Sequence, residues 1–209
     1  AAGARGLDAL INNAGIPIVG PVESLGMDRW RHQFEVNFFG HIAVTRAMLP
    51  LLRVARGRVV LVSSIAGLIG QPFLSPYSAS KHALEALGDA LRIELAPDGI
   101  GITLLEPGAI KTPIWKRGEE NTRSVEDAMP PDQAARYGKR LERVKKMAAD
   151  AEAKGLPPLA CARAIARALT ARRAPARIIL GRDARFGAFF KWLLPARVFD
   201  LVLRQAFGV

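Results

Sequence analysis

Three short apolar runs limit this chain to few folds. Each is stopped by a polar or glycine-rich loop, and helix-length stretches separate them. Residues 7–11 (LDALI) end in Asn12-Asn13-Ala14-Gly15, residues 58–62 (RVVLV) in Ser63-Ser64, and residues 100–105 (IGITLL) in Glu106-Pro107-Gly108. Short runs of this kind suit strands buried on both faces, as parallel strands are. Between the first two, Trp30, Phe34, Phe38, Ile42 and Leu49 recur at spacings of four and seven and predict a helix from about residue 28 to 52. Between the second and third, Leu84, Leu87, Leu91 and Leu95 stripe a helix over 79–95, where Ala79, Ser80, Ala83, Ala86 and Ala90 permit close packing. Pro97 and Gly99 end it. Strands alternating with helices predict an α/β architecture with a parallel sheet. Ligands of such sheets bind outside the carboxyl ends of the strands, where Asn12, Ser64 and Pro107 fall.

With 209 residues, one domain is expected. Within it, residues 109–158 change character. Residues 111–131 are polar and loop-like, and residues 132–154 form a charged helix with a thin stripe of Leu141, Val144 and Met147. This region is a candidate lid over a substrate. A helix over 161–171 and a short strand at 178–180 follow, and residues 183–209 form an apolar, arginine-dotted extension. There Pro195, Lys191, Arg197, Asp200 and Arg204 interrupt the apolar run and exclude a plain membrane span. Packing on the body, a subunit contact, or a membrane-interface position remain open.

The net charge of +11 is one-sided: residues 1–131 hold 13 basic and 13 acidic residues, residues 132–209 hold 17 and 6. A basic third fits an anionic surface or a solvated helix face. No zinc finger, basic zipper or RNA-binding signature accompanies it, so a nucleic-acid partner is not expected. The lone Cys161 excludes an intramolecular disulfide, and no Cys/His cluster has metal spacing. Without a signal or transit-like segment the expected location is cytoplasmic, with membrane association through the extension as the alternative.

The chemistry concentrates in residues 63–81. Tyr77 and Lys81 are four apart, one turn above each other on one helix face. A neighbouring ammonium favours tyrosinate and pulls a phenol below its usual value of about 10. Ser64, at the mouth of the preceding strand, can hydrogen-bond a substrate oxygen as charge develops on it. Asn37 interrupts the apolar run Val36-Asn37-Phe38-Phe39, as a core amide satisfied by backbone or as a held donor or water ligand. His32, His41 and His82 have no spacing that implies a role.

Taken together, Asn12-Asn13-Ala14-Gly15, Asn37, Ser64, Tyr77-x-x-x-Lys81 and Pro107-Gly108-x-x-x-Thr112 resemble the short-chain dehydrogenase/reductases in order and spacing, over nearly the whole chain. Residues 77–115 look most similar to the retinol and 17β-hydroxysteroid dehydrogenase-like branch. The resemblance implies a Rossmann-like doubly wound parallel sheet and an NAD(P)-dependent oxidoreductase interconverting a secondary alcohol and a carbonyl. Tyr77 would be general acid/base, Ser64 would bind the same oxygen, Lys81 would depress the tyrosine pKa and hold the nicotinamide ribose, and Asn37 would position a relay water. Asn12, Ala14 and Gly15 would contact the adenosine half, and Ser63, Pro107, Gly108, Ile110 and Thr112 the nicotinamide. It also implies a dimer or tetramer through the helices of Asn37 and Tyr77. The family's Gly-rich turn, and the residue choosing NAD or NADP, would precede Ala1. The pattern is therefore expected to be an amino-terminally truncated form of the fold, poor in cofactor binding. Ile65, Leu68, Ile69, Phe73, Leu74, Ile114 and Trp115 favour a lipophilic substrate. A non-catalytic binding or regulatory protein on the same fold is the alternative.

Overall fold

The computed structural model describes residues 6–114 and 123–208. Four parallel strands, β1 (Ala9–Asn12), β2 (Arg58–Val62), β3 (Gly101–Pro107) and β4 (Arg177–Leu180), lie side by side in chain order. The register pairs Ile11 with Val60, Val60 with Thr103, and Leu105 with Ile178.

Successive side chains of a strand point to opposite faces, so β2 and β3 bury apolar residues on both. Val59, Leu61, Ile102 and Leu104 meet Leu52 of α2 (Gly40–Ala55) and Leu84 of α3 (Ser75–Glu94) on one face. Val60 and Leu105 meet Ala164 and Ala168 of α5 (Pro158–Thr170) on the other. Helices on both faces make the sheet doubly wound. Each large apolar side chain buried in this way contributes about 1.5–3 kcal/mol.

The helix expected over residues 28–52 is not continuous. It divides into α1 (Met27–Phe34), a π turn (Glu35–Phe39) and α2. Helix α3 begins at Ser75, earlier than its leucine stripe, so Tyr77 stands in its first turn. The expected lid is tied at its stem: Leu156 N donates to Ala109 O and Lys111 N to Leu156 O, both at 2.9 Å. Its helix α4 (Pro131–Lys154) buries Leu141 and Val144 against Val19, Phe73 and Leu74, so the thin stripe is a packing face. Residues 123–127 are helical, where the sequence reads as loop; Trp115 lies outside the described residues. Two short helices close the chain, α6 (Arg182–Leu193) and α7 (Ala196–Phe207).

Candidate active site

The carboxyl ends of all four strands open on one rim, and the loop leaving β1 is fixed there by an unusual ladder. Asn12 donates to Thr45 Oγ1 at 2.8 Å. His41 Nε2 lies 2.8 Å from the Ala14 carbonyl. Asn37 accepts from Ile16 N at 2.9 Å and donates to Ile16 O at 3.1 Å, and Gln33 accepts from Ile18 N at 2.8 Å and donates to Ile16 O. Loop residues 12, 14, 16 and 18 therefore face helix residues 45, 41, 37 and 33, all four buried. The match is geometric: two extended residues span about 6.6 Å and four helical ones about 6 Å. Four α-helical residues overshoot a turn by about 40°. The π turn at Glu35–Phe39 takes more residues per revolution and turns the polar stripe back into line.

The ladder sets Gly15 beside the chemistry. A Cβ on Gly15 would lie 3.6 Å from Asn37 Oδ1 and 3.7 Å from Lys81 Nζ. Lys81 is 3% exposed. Its Nζ donates to Val62 O at 2.8 Å and sits 5.8 Å from the Tyr77 ring centroid. Ser64 lies near enough to the Tyr77 phenol to favour its ionised form, and its own oxygen accepts from Ala66 N at 3.1 Å, which caps the turn after β2. Tyr77, Ser64, Lys81 and Asn37 are thus brought together at this rim.

Their electrostatics differ from expectation. Burial raises the Tyr77 phenol above its ordinary value, and Ser64 only partly opposes this. The Lys81 ammonium donates to the Val62 carbonyl at 2.8 Å and lies 5.8 Å from the ring centroid. Burial lowers Lys81 to about 8, with Glu85 acting in the opposite sense. His41 is lowered by burial, raised by its bond to Ala14 and lowered again by Lys81. It is neutral at pH 7 and donates Nε2–H to the Ala14 carbonyl.

The remaining expected residues surround this centre in varied ways. The Asn12 amide is turned to Thr45 and the Ala14 carbonyl to His41. Asn37 spends its side-chain amide on Ile16 and on Ser80 Oγ at 3.2 Å, as a core amide does. Ser63 is 4% exposed, and its hydroxyl points into the protein. Pro107 ends β3, and Gly108 passes so close to Asp183 that a Cβ there would lie 2.2 Å from its carboxylate. Asp183 in turn accepts from Ala109 N at 2.8 Å, which fixes the turn before Ile110 and Thr112. Asp183, Gln33 and Thr45 carry no functional signature. Gln33, Asn37, His41 and Thr45 were nonetheless detectable as a polar stripe at four-residue spacing through an apolar helix.

The rim fits a nicotinamide cofactor on its own residues. Lys81 presents a buried cation, and beside it the Cβ-less Gly15 leaves room for close approach of a sugar hydroxyl. Tyr77, Met129 and Phe207 pack against the buried cluster of Val19, Phe73, Leu74, Leu141 and Val144. Of the residues expected to line a substrate site, Ile69, Phe73 and Leu74 are buried core residues.

Comparison with known proteins agrees. Residues 1–123 match the family model described as short chain dehydrogenase. The chain is 35% identical to the NADPH-dependent 3-dehydrocapnine reductase of Ornithobacterium rhinotracheale over 96% of its own length and 70% of that protein. It is 36% identical to retinol dehydrogenase 5 of Mus musculus, over 96% of its own length and 65% of the relative. A crystal structure of a short-chain dehydrogenase from Streptomyces avermitilis superposes with a TM-score of 0.72 at 29% identity, covering 99% of this chain and 72% of that one.

Proposed function

The chain belongs to the short-chain dehydrogenase family of NAD(P)-dependent oxidoreductases, and from that premise we propose that it interconverts a secondary alcohol and a carbonyl on a lipophilic substrate, with Tyr77 as general acid/base. The observation that carries this reading is the buried Lys81, whose ammonium lies 5.8 Å from the Tyr77 ring centroid at the carboxyl end of β2, with Ser64 beside the phenol.

When bound, the nicotinamide supplies or accepts the hydride. Ser64 and Tyr77 direct their hydroxyls to one oxygen. In reduction the neutral phenol donates its proton to that oxygen; in oxidation tyrosinate takes the alcohol proton. Burial keeps the phenol protonated in the resting site, so this arrangement is poised for the reductive direction. Lys81 and Gly15 would hold the nicotinamide ribose, and Pro107 to Thr112 would border the ring. The partly buried Ile65 and Leu68, which follow Ser64, support a lipophilic substrate. Exposed Phe39, Val54 and Ile93 on the helices of Asn37 and Tyr77 support self-association there.

Absorbance at 340 nm with NADH and NADPH against retinoid, steroid and aliphatic carbonyls tests the reading. Turnover that falls at least 10³-fold in Tyr77→Phe is the expected result, since the acid supplies proton transfer worth about 10²–10⁴-fold and its oxygen also orients the substrate. Cofactor binding without turnover of any carbonyl would favour a non-catalytic binding protein.

A second reading concerns location. On α6, Phe186, Phe189, Phe190 and Leu193 share one face at i, i+3, i+4 and i+7, opposite the buried Ala184, and Trp192 beside them is 80% exposed. On α7, Val198, Leu201 and Val202 are exposed in the same manner. An outward apolar face flanked by Arg182, Arg185, Arg197 and Arg204 supports contact with an anionic membrane surface. Co-sedimentation with acidic vesicles tests it.

A further inference from the structure

Beneath the Tyr77–Lys81 pair lies a second charged cluster that the proposed reaction leaves unused. Glu85 stands one turn beyond Lys81 on the same face of α3, and both are buried. Glu106 of β3 is 0% exposed. Arg177 of β4 joins them: its Nη1 donates to Glu85 Oε2 and Glu106 Oε1, and its Nη2 to Asp89 Oδ2 at 2.7 Å. Glu85 Oε1, Glu106 Oε2 and Ser63 Oγ are buried without a hydrogen-bond partner among the described residues. Ser63 Oγ and Glu85 Oε1 face one gap, since a Cβ on Gly67 would lie 2.7 Å from the first and 3.1 Å from the second. Any side chain at position 67 would fill it.

One guanidinium cannot balance two buried carboxylates and Asp89 together. Like charges held so close cannot both ionise freely, so the pair retains a proton. Burial first, and the charge of Glu85 second, raise the Glu106 carboxyl to about 7, against the pull of Arg177. The Glu85 charge acts on Lys81, opposing the burial that lowers the ammonium. The other titratable groups facing Lys81 are Tyr77 on α3 and His41 on α2, both neutral in the resting site. Among the described residues Glu85 is thus the carboxylate that supports the lysine charge.

Resting on the oxidoreductase reading above, we infer that Glu85 is a positioning residue of the reaction: held by Arg177 and sharing a proton with Glu106, it keeps Lys81 in its charged form at working pH.

The experiment follows Lys81 directly, by ¹⁵N-lysine NMR of its Nζ across pH, with Lys81→Met assigning the signal. Glu85→Gln is expected to lower the Lys81 midpoint by roughly one pH unit, about tenfold in proton affinity. The wild-type trace is expected to carry a second inflection near 7, from the Glu106 proton. Glu106→Gln, which mimics the protonated carboxyl, removes that inflection. A folded Glu85→Gln protein with an unmoved Lys81 midpoint overturns the inference. Should that variant not fold, an inflection that persists in Glu106→Gln overturns it instead. Where turnover is measured, the pH–rate profile of Glu85→Gln moves with Lys81. A wild-type protein with no turnover would refute the reaction reading alone, since the NMR titration stands without it.

Discussion

Lys81 shows how much a site residue can work against the fold that holds it. Its ammonium is buried, and its fall to about 8 corresponds to roughly 3 kcal/mol of destabilisation at neutral pH. The sign follows from the protons bound. Below 8 the lysine is charged in both states and the full burial cost applies. Between 8 and the ordinary 10.5 only the unfolded chain keeps its proton, and the cost shrinks. Lys81→Met should therefore raise unfolding free energy at pH 7 by about 2 kcal/mol, after allowing about 1 kcal/mol for the lost bond to Val62 O. Urea titrations at pH 7 and pH 10.5 check this, and the gain should vanish at the higher pH. A variant less stable than wild type at both would mean that the hydrogen bond outweighs the buried charge. The spacing of Tyr77 and Lys81 made the pair legible in sequence. It did not reveal that burial would dominate their proton affinities, because that depends on what α2, β2 and the β1 loop place around them.

At the level of elements, the strands were legible because parallel strands buried on both faces leave apolar runs, and β2 begins and ends where its run does. The break in the long helix was not, because a π turn leaves no composition signal and is set by the partner loop. Its function lies in the ladder, and the ladder makes an energetic prediction. Asn37→Ala leaves the Ile16 N–H without its acceptor and the Ile16 carbonyl with Gln33 alone, and should cost about 2–3 kcal/mol. Thr45→Val removes one bond to Asn12 and should cost about 1 kcal/mol. Because the rungs grip one segment, the double variant should lose less than the sum, once the first has freed the loop. Denaturant midpoints give the energies, and faster exchange of the Ile16 amide in Asn37→Ala locates the damage. Additive losses with no local change in exchange would mean that the rungs act independently.

For the whole molecule the question is which apolar surface meets what. The segment Met27–Ala55 is long and apolar enough to cross a membrane by length and composition, but Gln33, Asn37, His41 and Thr45 are buried against the β1 loop, so one polar face of it is held by the fold. The outward face of α6 and α7 is different, since its aromatic residues point away from the body. The basic excess of residues 132–209 distinguishes the occupants. Two copies meeting there would bring like charges together, whereas an anionic bilayer would neutralise them. Pelleting with vesicles containing acidic phospholipid, but weakly with neutral ones, is the expected outcome. Raised salt should weaken it, since part of the attraction is screened beyond about 8–10 Å. Phe189→Ser with Trp192→Ser should abolish the pelleting that survives in salt, because that remainder is apolar insertion, while turnover of a water-soluble carbonyl is unchanged. A wild-type protein that ignores acidic vesicles, yet becomes smaller in light scattering when the two serines are introduced, would assign this face to a second copy of the chain.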